Sequence, residues 1–226
     1  ELLSSYYKNN GYYDFYYIDR QILFNDKEIE LIFNIYEGPK YHIRNIDWVG
    51  NYVKTNDELN NRLGLVKGDI FNDEEFNIAL ANKVNPLYKD EGYFYSQIDP
   101  VILPIGVDSL DIKFRVNENQ IVNIRKILIY GNRKTHENVI RRRLYFYPGD
   151  IFNQNKLIDG LRDIMMLNYF QNVIPNVKPV DETNIDIIID VEEKQTGQAQ
   201  FSMGYNGYYG LTGGGAFQSL VKLFTY

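Results

Sequence analysis

Gly50-Asn51, which ends the stretch Ile46 to Asn51, recurs as Gly131-Asn132 at the end of Ile127 to Asn132. The same interval of 81 positions carries Gly68-Asp69-Ile70-Phe71-Asn72 onto Gly149-Asp150-Ile151-Phe152-Asn153, and Gly11-Tyr12-Tyr13 onto Gly92-Tyr93-Phe94. A register held over three blocks is the signature of a tandem array, in which each unit repeats one order of elements. It divides the 226 residues into the tail of one module at 1–40, a whole module at 41–120, a second at 121–194, and a remainder at 195–226.

Each whole module spells the same elements. His42, Arg44, Asn45 and Asp47 interleave with Ile43, Ile46 and Trp48, an approximate period-2 strand that Gly50-Asn51 ends as a turn. Thr55 with Glu58 is a capping box opening a short helix whose Leu59 and Leu63 share a face. Asn72 with Glu75 opens a second helix with the apolar stripe Phe76, Leu80, Val84 and Leu87. The interval of 81 puts Leu157, Leu161, Met165 and Asn168 in the equivalent places. Gly92 then breaks the helix, and strands are expected at 93–103 and 109–116 around a hairpin of Pro104, Gly106 and Asp108. The second module is expected to close with strands at 170–178 and 184–191.

A β-α-α-β-β order with this Gly-Asn and Gly-Asp punctuation resembles the POTRA domain. On order alone, a generic two-layer α+β repeat fits as well. The segment Ile185 to Gly197, followed by Gln198-Ala199-Gln200-Phe201-Ser202-Met203-Gly204-Tyr205-Asn206-Gly207, is similar to the last POTRA strand and first barrel strand of BamA-type outer-membrane assembly factors. That resemblance implies an α+β fold of tandem modules, each a three-stranded mixed sheet with two helices on one face, running into the first strands of a truncated transmembrane β-barrel.

The residues after 197 also have a reading of their own. Ala199, Phe201, Met203 and Tyr205 alternate with Gln198, Gln200, Ser202 and Gly204, giving a lipid-facing side and a polar or bare side. An ordinary half-buried strand would show the same alternation. Gly197 is therefore expected to mark the boundary between soluble and membrane-embedded structure. The glycines at 204, 207, 210 and 213–215 lack the Lys-Ser/Thr pair of a phosphate loop and fit a barrel hairpin better. The stretch past Gly197 holds too few residues for a closed barrel, which needs at least about eight strands of roughly ten residues. Ser219 to Tyr226 shows little alternation, and the opening Glu1-Leu2-Leu3 has no signal-peptide pattern, as for a chain starting inside a domain.

Composition excludes several classes. A net charge of −6 with 24 scattered Lys and Arg argues against a nucleic-acid binder that relies on phosphate neutralisation. The absence of cysteine removes disulfides, thiolate nucleophiles and Cys-ligated metals. His42 and His136 fall in different modules, and Asp186 and Asp190 read as a solvated strand face, so neither a catalytic constellation nor a metal site emerges. No cofactor is expected, and the chain reads as a non-enzyme.

The resemblance implies a cell-outer-membrane protein with its modules in the periplasm, whose partners are unfolded outer-membrane proteins, accessory periplasmic lipoproteins and the membrane itself. A TamA-like or two-partner secretion porin is the alternative within that class, and a soluble periplasmic repeat scaffold the alternative outside it. In such modules the middle strand lies at a sheet edge, here at 12–23, 93–103 and 170–178, and can add an extended client strand. Tyr93, Phe94, Tyr95, Ser96, Gln97 and Ile98 form the expected client-binding edge, although aromatics there more commonly pack on their own helices. Arg141, Arg142 and Arg143, on the first helix of the last module, are expected to meet an acidic partner or anionic head groups, or to be a solvated helix face.

Overall fold

The chain is described here from a computed structural model. It describes residues 2–24, 28–194, 197–206, 208 and 210–219, and beyond 194 it describes side chains only at 203–205 and 208. Along the chain run α1 (Leu2–Asn9), β1 (Tyr16–Phe24), β2 (Ile29–Tyr36), β3 (His42–Val49), α2 (Asn56–Leu63), α3 (Asp73–Ala79), a π-helical segment at Leu80–Val84, α4 (Asn85–Lys89), β4 (Gln97–Ile105) and β5 (Ser109–Asn117). Then follow β6 (Asn123–Tyr130), α5 (Glu137–Arg141), α6 (Gln154–Met166), β7 (Phe170–Pro179), β8 (Asn184–Glu193), β9 (Gly197–Asn206) and β10 (Gly210–Ser219).

Two three-stranded sheets have the orders β3-β5-β4 and β6-β8-β7. In each the outer pair is parallel and antiparallel respectively: β3 and β6 run parallel to the central strand, β4 and β7 antiparallel to it. Parallel neighbours need a crossover, and the helices between β3 and β4, or β6 and β7, supply it. The first strand is only approximately period-2 because its register shifts between Ile43 and Asn45, and again between Ile124 and Lys126. β1 and β2 form a two-stranded sheet, as do β9 and β10.

Local chemistry sets the helix starts. The Thr55 side chain accepts from Glu58 N at 3.2 Å, Asn72 from Glu75 N at 3.1 Å and Asn153 from Lys156 N at 2.8 Å, each satisfying a backbone donor that the helix leaves unpaired. Gly131 sits at φ +89° with its Cα so close to β8 that a Cβ would lie 1.9 Å from Val191 O, and Gly50 repeats this against Val116 O at 2.2 Å. Only glycine fits such an approach.

The helices cover one face of each sheet. In the first whole module Trp48 stacks on Phe114 at 3.9 Å between ring centroids, and Phe76 lies 5.6 Å from Phe71 and 5.8 Å from Phe114. The buried helix positions there are Phe76, Ala79, Val84 and Tyr88, with Leu80 and Leu87 only packed against the core. The π segment, which holds one extra residue per turn, moves the stripe from Leu87 to Tyr88. The continuous α6 has no such segment, so Leu157, Gly160 and Ile164 are buried and Val84 corresponds to Ile164. Met165, the counterpart by simple counting, is 41% exposed, and Asn168 ends the helix at φ +60°.

Candidate functional site

The edge strands are the places where backbone groups face outward. In the central strand β5, Asp108 O at its entry accepts from His42 N at 2.8 Å, so even positions face β3 and odd positions face β4. Paired through the register Ile105↔Ser109 to Gln97↔Asn117, the odd residues of β4 point inward and Ile98, Pro100, Ile102 and Pro104 point outward. In the last module Val180 N donates to Asn184 O at 3.1 Å, which makes even residues of β7 inward-facing and leaves Val173, Pro175, Val177 and Pro179 outward. Both strands thus spell a β-branched residue and proline in alternation along the free edge. Proline has no N–H, so each edge keeps its outward carbonyls and loses two donors, a known way of blunting an edge.

β1 differs. Its register with β2 pairs Tyr17 with Ile35, Arg20 with Phe33, Ile22 with Leu31 and Phe24 with Ile29, with a bulge between Tyr17 and Asp19. The interval of 81 aligns those β2 residues with Val116, Phe114, Ile112 and Leu110, whose β4 partners are Ile98, Pro100, Ile102 and Pro104. Arg20, Ile22 and Phe24 therefore take the outward positions, and all three carry an N–H, that of Arg20 donating to Asp19 Oδ1 at 2.7 Å.

The structure divides the segment 93–98, expected as one strand edge. β4 starts at Gln97, so only Gln97 and Ile98 belong to it, and Tyr93, Phe94, Tyr95 and Ser96 form the preceding turns. Tyr93 packs on the core of its own module, whereas Phe94 and Tyr95 pack on that of the next. Phe94 meets Phe152 edge-on at 5.2 Å, Tyr95 Oη donates to Asp181 O at 3.1 Å, and Tyr95 O accepts from Asn119 Nδ2 at 2.7 Å. These side chains hold two modules together. Beside them lies an open cleft of about 830 Å³ lined by Tyr95, Gln97, Asn119, Gln120, Val180 and Glu182, among others.

The arginine run is also divided. α5 ends at Arg141, whose Nε donates to Glu137 Oε1 at 2.6 Å and whose Nη2 donates to Ile127 O at 2.9 Å; Arg142 and Arg143 lie beyond it and are exposed. Asp186, expected on a solvated face with Asp190, is buried at 6% exposure while Asp190 is exposed. Arg125 grips it with two hydrogen bonds of 2.8 and 2.6 Å. That guanidinium holds the Asp186 carboxyl below the usual carboxylate range against the opposing effect of burial. Arg44 and Asp111 repeat the pair one module earlier. Counting could have found it, since Arg44 and Arg125 are 81 apart.

His42 Nδ1 lies 3.1 Å from Gly68 O, and His136 is the N-cap of α5. Among the described residues no three His, Asp or Glu side chains gather as a metal site would require, and no helix is long and apolar enough to cross a membrane. In β9, Met203 and Tyr205 are 82% and 79% exposed, on backbone paired with Gly213 and Leu211. The side chains of Ala199 and Phe201 lie outside the described residues, as do residues 195, 196 and 220–226 of the expected junction and barrel start.

Comparison with known proteins gives this architecture a family. The POTRA model, described as a surface antigen variable number repeat, matches residues 41–119 and 122–194. A putative outer membrane protein assembly factor of Treponema pallidum is 28% identical over 211 residues, covering 90% of this chain and 25% of that protein. The outer membrane protein assembly factor BamA of Neorickettsia risticii is 26% identical over 221 residues, covering 96% and 29%. The chain thus spans between a quarter and a third of the length of these relatives. Among solved structures, Haemophilus influenzae BamA POTRA3-5 superposes with a TM-score of 0.72 at 20% identity, over 84% of this chain and 77% of that one. BamA from Haemophilus ducreyi lacking POTRA domains 1-3 gives a TM-score of 0.60 at 23% identity, over 78% and 34%. With two matched repeats and two mixed sheets of one order, the chain belongs to the POTRA family.

Proposed function

We propose that this chain is the membrane-proximal POTRA region of a BamA-type outer-membrane protein assembly factor, with its modules in the periplasm and β9 and β10 opening a barrel in the outer membrane. Its modules receive unfolded β-barrel clients by strand addition and dock accessory periplasmic lipoproteins, with Arg142 and Arg143 offered to an acidic partner or head groups. No bond is made or broken in that task. Relatives named as BamA support this reading over a TamA-like or two-partner secretion porin, and over a soluble scaffold.

The observation that carries it is the pattern of outward backbone groups. Main-chain hydrogen bonds at a free edge accept any sequence, which suits a handler of many clients. On β1, Ile22 and Phe24 offer both donors and acceptors, while Arg20 N already donates to Asp19 Oδ1 at 2.7 Å, whereas β4 and β7 have proline at every second outward position. β1 is therefore the capturing edge, and β4 and β7 hold a passing strand weakly through their carbonyls. A photo-crosslinker placed in turn at Ile22, Ile102 and Val177 of the assembled protein tests this. Nascent outer-membrane proteins should be trapped most strongly from position 22, and Ile22→Pro should weaken capture by a crosslinker at Leu23. Equal trapping at all three positions, or trapping only on the helices from Leu59 to Lys83, rejects the edge assignment.

A further inference from the structure

The interval of 81 repeats the joints between modules as faithfully as the modules themselves. At the first joint Gly11 O accepts from Tyr41 N, and at the second Gly92 O accepts from Val122 N, both at 2.9 Å. A Cβ on Gly11 would lie 2.6 Å from Ile70 Cγ2, and one on Gly92 2.5 Å from Ile151 Cγ2. Tyr13 meets Phe71 edge-on at 5.8 Å, as Phe94 meets Phe152. The glycine-aromatic segment of one module is thus a clasp closed on the next.

One pair of side chains in this clasp has exchanged its chemistry. At the first joint the amide is on the clasp: Asn9 Nδ2 donates to Glu74 Oε2 at 2.8 Å, and Asn9 Oδ1 accepts from Glu74 N at 3.1 Å. At the second, 81 residues on, the carboxylate is on the clasp: Asp90 Oδ2 accepts from Asn155 Nδ2 at 2.5 Å, and Asp90 Oδ1 accepts from Asn155 N at 2.9 Å. Both clasps satisfy a first-turn N–H of the receiving helix. The side-chain bond is amide to carboxylate in one and carboxylate to amide in the other. Clasp two on receiver one would set the Asp90 carboxylate against that of Glu74, two side-chain acceptors of like charge with no side-chain donor between them, whereas clasp one on receiver two would set two amides together, which share a hydrogen bond.

We infer that these joints are addressed, Asn9 with Glu74 and Asp90 with Asn155 forming opposite-polarity locks in which a carboxylate on one side requires an amide on the other, so that the carboxylate-bearing receiver rejects the carboxylate clasp. The last module is consistent with an end to the stacking. Its closing strand follows its counterpart by 75 residues rather than 81, from Ser109 to Asn184, and only Leu167–Tyr169 separate α6 from β7, where Asp90–Ser96 separate α4 from β4. It carries no clasp.

The test is a polarity exchange read as geometry. The chain has no cysteine, so nitroxides at Lys113→Cys and Asn176→Cys, exposed on the two whole modules, report the second joint by pulsed electron resonance. The parent should give one narrow distance distribution. Asn155→Glu, which faces Asp90 with a carboxylate, should broaden it at least twofold, and adding Asp90→Asn, which reproduces the first joint's lock, should restore it. A width unchanged by Asn155→Glu overturns the inference, as does broadening that Asp90→Asn fails to reverse. Circular dichroism of each variant separates an opened joint from an unfolded module, because residue 155 is exposed and Glu already occupies the equivalent place at 74.

Discussion

Replacing Pro100 and Pro104 together by valine should open the β4 edge to strand addition. Both prolines have their nitrogen turned away from β5, so valine supplies two outward N–H groups and leaves the ladder intact. Both side chains are exposed, and valine suits an extended backbone. At a net contribution of about 0.5–1.5 kcal/mol per hydrogen bond, two donors add about 1–3 kcal/mol, or roughly 5–150-fold in affinity at 1.4 kcal/mol per decade. Fluorescence anisotropy with a labelled ten-residue peptide of alternating apolar and polar residues measures this. The single variants should each give about half the gain in free energy, and Asp99→Val, at an inward position, should give none. Removing the prolines enlarges the unfolded ensemble and costs about 0.4–1 kcal/mol of stability each, so a urea titration confirms that the module is folded at the assay temperature. Unchanged peptide affinity in the folded double variant would refute the claim that missing donors blunt this edge.

Phe76→Ala should cost about 3–5 kcal/mol and Leu157→Ala about 2–5 kcal/mol, each in its own module, since their exposures are 2% and 6%. Urea unfolding followed by hydrogen exchange in each module measures both, and a loss below about 1 kcal/mol at the two sites would remove the equivalence. The Arg125 guanidinium lowers the Asp186 carboxyl below its ordinary value, so the stabilisation is present above the unfolded carboxylate range and is lost as pH falls through the folded value. Asp186→Asn should therefore weaken the last module at neutral pH and flatten its acid dependence, and parallel stability profiles for variant and parent would contradict this.

Much of the fold was legible because its signals are local. Thr55, Asn72 and Asn153 cap the helices that their spacing announces, and Gly50 and Gly131 end the strands they were expected to end. What failed was counting through irregular backbone. The π segment at Leu80–Val84 adds a residue, so Met165 and Leu87 were placed on the core where Ile164 and Tyr88 belong. The aromatic run from Tyr93 looked like a strand by composition, yet Gly92-Tyr93-Phe94 matches Gly11-Tyr12-Tyr13 because both are joints. A clasp contacts residues some sixty positions away, and no periodicity in the segment itself reports that. The proline alternation of β4 and β7 was visible from the start and gains meaning only when the register shows which way each nitrogen points.

Amide hydrogen exchange on this chain, with and without a saturating barrel-strand peptide, tests the capturing edge most directly. The amides of Ile22 and Phe24 should slow on binding, because they face outward and become donors to the added strand, while those of Ile102 and Val177 change little. Protection confined to the helical face between Leu59 and Lys83, with the β1 amides exchanging as in the free chain, would contradict the account.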